Sequence, residues 1–462
     1  VFLGIPFARP PVGSLRFCPP EPPVAWTAVR DCKRYAPAAI QPGANNVAQS
    51  EDCLYLNVWA PEQSNASSTG YLPVFIWIHG GGFTGGRTSE PQFAGSHFAH
   101  SGVVCITIAY RLGALGFLDV SPMLGSEYVG SANNGLRDLI AALEWVQRNV
   151  AALGGDPRRV TIGGESAGAK LTDLLLGIPA AAPLFHQAIS ESGGAERIAT
   201  TSSSGEVGRG FADVWTRQTS QPVSALRTAP AQQLIEVQTQ FLRSWPMHFP
   251  LRPELDHRLA SQAPLAAITS GLARGKRLLL GTNRDESALF LGPHPKGPAK
   301  ASDLGNLPLY RFQPLAAHYA SLYPELTEEQ RLIRSVTAEE YWIPSLRVAE
   351  AMLAGGGEAY VYRLDFPGTG RFSGLAFHSY DLRFVWDSFG AEPPAPEQQQ
   401  LGVQMHAAWV AFLAGQTPGA AGLPVWPRYS LDSRPTMLFD QPSQIAWDPG
   451  RAERKLWDGL LV

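Results

Sequence analysis

The sequence predicts one α/β domain, a largely parallel sheet with helices on both faces. Three observations carry that expectation. Continuous apolar runs recur along the chain, as strands buried on both faces read. An amphipathic helical pattern lies between two of them. Glycine-rich turns follow several of the runs. The 462 residues read as a single unit, because α/β enzymes often run well past the usual domain length.

The elements follow in order. Val1-Phe2-Leu3-Gly4 opens the chain as a strand. Leu72 to Ile78 is a continuous apolar run, and Val103 to Ile108 is a second. Arg159 to Gly163, Lys276 to Leu280 and Glu358 to Leu364 are the third, fourth and fifth. Between the second and third, Leu136, Leu139, Ile140, Leu143, Val146 and Val150 recur at helical steps, and Gly154-Gly155 stop the helix. Ala167 to Leu176 reads as a further helix. From about residue 200 to 275 the pattern changes to helical stretches broken by proline, after a Ser/Thr cluster at 200 to 204. This stretch is expected to be a helical insertion over the sheet that contributes to the pocket. Residues 293 to 308 read as a loop.

Composition narrows the partners. Hydrophobic residues make up 45% and charged residues 17%, which is a core-forming balance. Net charge is −3 with no basic run, which argues against a nucleic acid and for a small molecule. No apolar stretch approaches the roughly 18 residues of a membrane span. The chain starts at Val1 inside a strand; a cytoplasmic home is expected, with secretion open if a leader has been trimmed. Nothing in the pattern selects a monomer over a small homo-oligomer.

Four cysteines, Cys18, Cys32, Cys53 and Cys105, do not make a disulfide scaffold, and Cys105 reads as an inert core thiol. No metal site is expected: His97 and His100 are spaced i, i+3 but lack an acid or thiol to complete a set. No organic cofactor is expected. The sequon Asn65-Ala66-Ser67 lies in a Ser-rich surface turn and reads as a chance match.

The chemistry centres on Gly164-Glu165-Ser166-Ala167-Gly168. Such a motif alone carries little weight in a glycine-rich chain. Here it follows a strand and precedes a helix, which forces a tight turn and exposes the serine above the sheet edge. His79-Gly80-Gly81-Gly82-Phe83 follows the run ending at Ile78. Consecutive glycines let backbone N–H groups approach an oxyanion. A phosphate loop is excluded, since no Gly-Lys-Ser/Thr follows. The expected hole is the N–H groups of Gly81, Gly82 and Ala167. A serine nucleophile needs a base, and the base needs a carboxylate. After Lys276 to Leu280, both Asp285 and Glu286 are candidate acids by position. His378 lies in a loop after a strand and suits the base; His318 and His406 sit in helical runs and suit packing or surface roles. Serine, acid, histidine is the chain order of the α/β-hydrolase fold.

These residues resemble the type-B carboxylesterases, which include bacterial para-nitrobenzyl esterases and the cholinesterases. The likeness spans Gly4-Ile5-Pro6-Phe7-Ala8-Arg9-Pro10-Pro11, Glu51-Asp52-Cys53-Leu54-Tyr55-Leu56-Asn57-Val58, Ala109-Tyr110-Arg111-Leu112-Gly113 and Gly154-Gly155-Asp156-Pro157. The resemblance implies an α/β-hydrolase fold and a serine carboxylic-ester hydrolase. It implies Glu286 as the acid, His378 as the base, Asp285 as structural and Ser192 as a serine beside the acid. The family's partner cysteine for Cys53 is replaced by Ala39, so the resemblance leaves a Cys32–Cys53 bridge as the expectation to test. The segment from Lys33 to Asp52 holds no tryptophan, which argues against choline esters and for uncharged ones. Lys170 has no counterpart in the pattern. The alternatives are a catalytically silent adhesion or binding relative, and a lipase.

Overall fold

The protein is described by a computed structural model covering residues 1–44, 46–62, 71–390 and 393–460. The sequon at Asn65 lies outside the described residues. Each apolar run is a strand of one ten-stranded sheet. In chain order the strands are β1 Phe2–Pro6, β2 Tyr55–Trp59, β3 Leu72–Ile78, β4 Val104–Ile108 and β5 Gly155–Glu165. Then come β6 Gln187–Glu191, β7 Arg277–Asn283, β8 Glu358–Leu364, β9 Pro435–Phe439 and β10 Gln444–Trp447. The spatial order is β1-β2-β4-β3-β5-β6-β7-β8-β9-β10. Pairing is parallel from β4 through β9, and antiparallel at the two edges. The mostly parallel α/β sheet that the apolar runs predict is the one found.

Alternation along β3 explains its apolar run. Val74, Ile76 and Ile78 face one core; Phe75 and Trp77 face a second core on the other side of the sheet. Helix α1, Asn134–Asn149, lays Leu136, Leu139, Leu143 and Val146 into the first core. Helix α2, Ala167–Leu176, is buried along its whole length beside it. After α1 and a short 3-10 turn, Gly154 takes φ 85°, a left-handed value that stops the run where the sequence places the stop. Residues 200 to 275 carry helices α3, Thr201–Thr219, and α4, Ala231–Ser244. The Ser/Thr cluster caps α3: Thr200 Oγ1 accepts from Ser203 N, and Ser203 Oγ accepts from Thr200 N. The second core is filled by helix α5, Pro396–Leu413, through Leu401, Met405, Trp409 and Phe412.

Two features depart from expectation. Strand β5 begins at Gly155, four residues before Arg159, because Gly155 pairs with Leu72 across a register shift. Strand β6 has no continuous apolar run, yet all five of its residues are buried. Two of its polar side chains bond internally: Gln187 Nε2 donates to Thr161 Oγ1 at 3.1 Å, and Ser190 Oγ to Asp173 at 2.8 Å.

Arg111 ties the front of the sheet to α1. Its guanidinium donates to both Asp138 carboxylate oxygens, at 2.8 and 2.7 Å, and its backbone N–H donates to the same group at 3.0 Å. Both side chains are buried. The expected Cys32–Cys53 bridge is not formed, and all four cysteines are free. Cys32 is held beside β1, where its carbonyl accepts from Leu3 N, while Cys53 is sealed in the core ahead of β2. Burial pushes the Cys53 thiol far up, so it stays protonated.

Thiol titration of the unfolded chain without reductant is therefore expected to find four thiols; two would restore the bridge. Asp138→Ala should lower unfolding stability by about 3–5 kcal/mol, because it strands the buried Arg111 charge. Urea unfolding checks this, and a loss below about 1 kcal/mol would show that the pair is dispensable.

Candidate active site

Three strand ends meet at one point above the sheet. Strand β5 runs into Ser166, which sits at φ 57°, ψ −123°, a left-handed conformation costly for any side chain. Its N–H donates to the Glu191 carbonyl at the end of β6, which helps pin the turn. Helix α2 starts at the next residue, so the Ala167 N–H is the first of its unpaired donors.

Strand β3 ends at Ile78, and the glycine run begins two residues on. Gly81 and Gly82 have φ of 109° and 60°, and a Cβ on Gly82 would lie 2.6 Å from the Phe249 ring. Among the described residues, the N–H groups of Gly81, Gly82 and Ala167 donate to no protein acceptor. Three free donors beside Ser166 are the kind of group an oxyanion needs. His79 supports the run from below. Its Nδ1 lies 2.9 Å from the Gly80 carbonyl and its ring stacks on Tyr110 at 4.6 Å. Burial pushes its pKa down to about 4, so it is neutral.

Strand β7 leads into Asp285-Glu286, and the two candidates separate. Asp285 accepts from Ala376 N at 3.0 Å and from Arg284 at 2.9 Å, so it holds the loop together. Glu286 is fully buried and meets His378: Nδ1 lies 2.5 Å from its Oε2. The other oxygen accepts from Ser192 Oγ at 2.5 Å and from Asn283 N at 2.7 Å. Ser192 is thus beside the acid, in the place the resemblance implies. Asn283 also ties the loop through Asp381, at 3.1 Å. His318 and His406 lie apart: the first donates to the Pro314 carbonyl within its own helix, and the second to the Val385 carbonyl. His97 faces Asp387 at 3.4 Å, and among the described residues no group of metal-ligating side chains forms.

The surroundings of His378 hold groups that the sequence reading passed over. Its Nε2 faces Glu165 Oε1 at 3.1 Å, and that oxygen also accepts from Ser379 Oγ at 2.5 Å. Among the described residues no hydrogen bond joins Ser166 Oγ to His378; such contacts often tighten only around substrate. Rings of Tyr341 and Phe290 cover the imidazole, with centroids 4.8 and 5.2 Å away. Burial works against the imidazolium, but Glu165 and Glu286 outweigh it, and the pKa is raised. Burial also raises Glu165, to about 7. Glu165 directly precedes Ser166, but its partner Ser379 is 214 residues away, so the sequence alone assigned it no role.

Lys170, one turn into α2, now has a physical setting. It is buried, and its ammonium donates to the carbonyls of Gly193 and Glu340 at 3.1 and 3.3 Å. It also lies 3.4 Å from Glu340 Oε1 and 4.6 Å from the Tyr341 ring centre. Burial brings its pKa down to about 7.

The pattern of the Carboxylesterase family matches residues 1–457. The para-nitrobenzyl esterase of Bacillus subtilis (strain 168) is 36% identical over 98% of this chain and 93% of its own. The fumonisin B1 esterase of Sphingopyxis macrogoltabida is 34% identical over 93% of this chain and 81% of its own. A solved PNB esterase superposes with a TM-score of 0.86 at 35% identity, covering 98% of this chain and 95% of that one. With its α/β-hydrolase sheet and a match that runs nearly end to end, the chain belongs to the carboxylesterase family, whose members are serine ester hydrolases.

Proposed function

We propose that the protein hydrolyses uncharged carboxylic esters through an acyl-enzyme, with Ser166 as nucleophile, His378 as base and Glu286 as the carboxylate that orients it. The observation that carries this reading is the Glu286–His378 contact beside a left-handed Ser166 and three unused N–H donors. As substrate docks, His378 takes the Ser166 proton and Ser166 attacks the carbonyl. The oxyanion is received by Gly81, Gly82 and Ala167, each donor supplying roughly 2.7–4 kcal/mol in the transition state. His378 then protonates the leaving alcohol and activates water for deacylation. No step needs a metal or an organic cofactor. His248 and Phe249, from the stretch 200–275, would line the substrate's path, in keeping with an insertion that shapes the pocket. The presence of Ser166, Glu286, His378 and the glycine run in one chain favours this reading over a silent binding relative.

Ser166→Ala should lower kcat by roughly 10⁶-fold on para-nitrophenyl butyrate and abolish labelling by an organophosphonate. Unchanged turnover in that variant would sink the assignment. The pH profile tests His378. It must be neutral to act, and its pKa is raised, so kcat/KM should climb with pH with a midpoint above about 6.5. Glu165→Gln removes a negative charge from beside Nε2, destabilises the imidazolium and should move that midpoint down. A wild-type midpoint below about 6, or one that rises in Glu165→Gln, would contradict the arrangement.

A further inference from the structure

Lys170, which the family resemblance leaves without a counterpart, stands one turn after Ser166 on α2, and its backbone N–H donates to the Ser166 carbonyl at 2.9 Å. Asp173 follows three residues later, on the same face of the helix. Both side chains are buried. Two such groups in a mostly apolar helix cost desolvation unless what they bind offsets it.

They hold the same peptide group. Lys170 Nζ donates to the Gly193 carbonyl at 3.1 Å, and Asp173 Oδ2 accepts from the Gly194 N–H at 2.7 Å. Those are the two ends of the single peptide unit that joins Gly193 to Gly194, so its dipole lies between a donor and an acceptor of matching sense. Ser190 Oγ donates to the same Asp173 oxygen at 2.8 Å. The grip leaves no room for a side chain: a Cβ on Gly193 would lie 2.1 Å from Ser190 Oγ and 2.3 Å from Asp173 Oδ2. The residue before this peptide is Ser192, whose backbone sits at φ 61° and whose Oγ donates to Glu286 at 2.5 Å. Holding the peptide therefore holds that hydroxyl on the acid. The same amine also reaches the other side of the site. It donates to the carbonyl of Glu340 at 3.3 Å and lies 4.6 Å from the ring centre of the next residue, Tyr341. That ring covers the His378 imidazole.

We propose that Lys170 and Asp173 are positioning residues of the triad: they clamp the Gly193–Gly194 peptide and so set Ser192 on Glu286, while Lys170 also sets Tyr341 over His378. The inference rests on the ester-hydrolysis reading above and adds to it two residues that act through others. One nitrogen is tied by its own helix to the nucleophile, through Ser192 to the acid and through Tyr341 to the base.

Steady-state kinetics of the purified protein on para-nitrophenyl butyrate test this. Acylation and deacylation both use the triad, so loosening it slows both steps and leaves substrate binding in place. Lys170→Met should lower kcat by about 10–100-fold with KM changed by less than about threefold. Glu340 keeps its contact with Arg197, so this variant strands no buried carboxylate. If it nevertheless fails to fold, Lys170→Gln takes its place. Double-mutant cycles then trace the route. Lys170→Met should cost at least about fivefold less in kcat when made in Ser192→Ala, and likewise in Tyr341→Leu. Asp173→Ala should couple to Ser192→Ala in the same way. An unchanged kcat in Lys170→Met overturns the proposal, as does a loss carried in KM or one of equal size in all three backgrounds. Coupling to Ser192→Ala alone keeps the clamp and strikes out the Tyr341 arm; coupling to Tyr341→Leu alone strikes out the clamp. Absence of turnover in the wild-type protein is a separate result, which overturns ester hydrolysis itself and the clamp with it.

Discussion

The site depends on one close crossing of backbones. Gly168, in the first turn of α2, passes so near the end of β3 that a Cβ there would lie 2.0 Å from the Ile78 carbonyl oxygen. No side chain fits between them. That contact sets the helix start against the strand that leads into Gly80–Gly82, so donors from two separate segments open onto one space. It also leaves Ser166 a turn too tight for ordinary backbone angles. The strain at Ser166 is held by β5 and β6 on one side and α2 on the other, and a serine on an unconstrained loop would relax out of it.

Much of this was legible from the residues alone, for a physical reason. Strands buried on both faces are apolar at every position, so β3, β4, β5, β7 and β8 stand out as runs. Strand β6 did not, since it buries Gln187, Ser190 and Glu191, each bonded to a side chain distant in sequence. Ser166 and the glycine run were legible because their geometry is local. The choice between Asp285 and Glu286 was not, because it turns on what each carboxylate meets across the fold; only the family resemblance selected Glu286. The same limit hid Glu165, which meets Ser379 some 214 residues away, and Lys170, whose partner Glu340 is 170 residues away. Buried charge has a partner somewhere, but sequence order does not say where. The disulfide expectation failed on the same ground, since spacing in sequence carries no Cys32–Cys53 distance.

The charges around the imidazole are lopsided. Glu165, Glu286 and Asp381 all act on His378, and Glu191 is buried beside Glu165 and Asp381. Glu191 is anchored by the Trp409 indole at 2.8 Å, and Asp381 by the Tyr362 hydroxyl at 2.7 Å. Burial raises Glu165 to about 7, Asp381 to about 6, and Glu191 well above its ordinary value.

That crowding has a consequence for how the chain reaches its native state. In the unfolded chain Glu165 and Asp381 ionise near their ordinary values of about 4, and in the folded one they keep protons up to about pH 7 and pH 6. Between those limits the native state binds more protons than the unfolded one. Closing the protein around its reactive centre is therefore a proton-consuming reaction, and this cluster gives folding a thermodynamic preference for mildly acidic water.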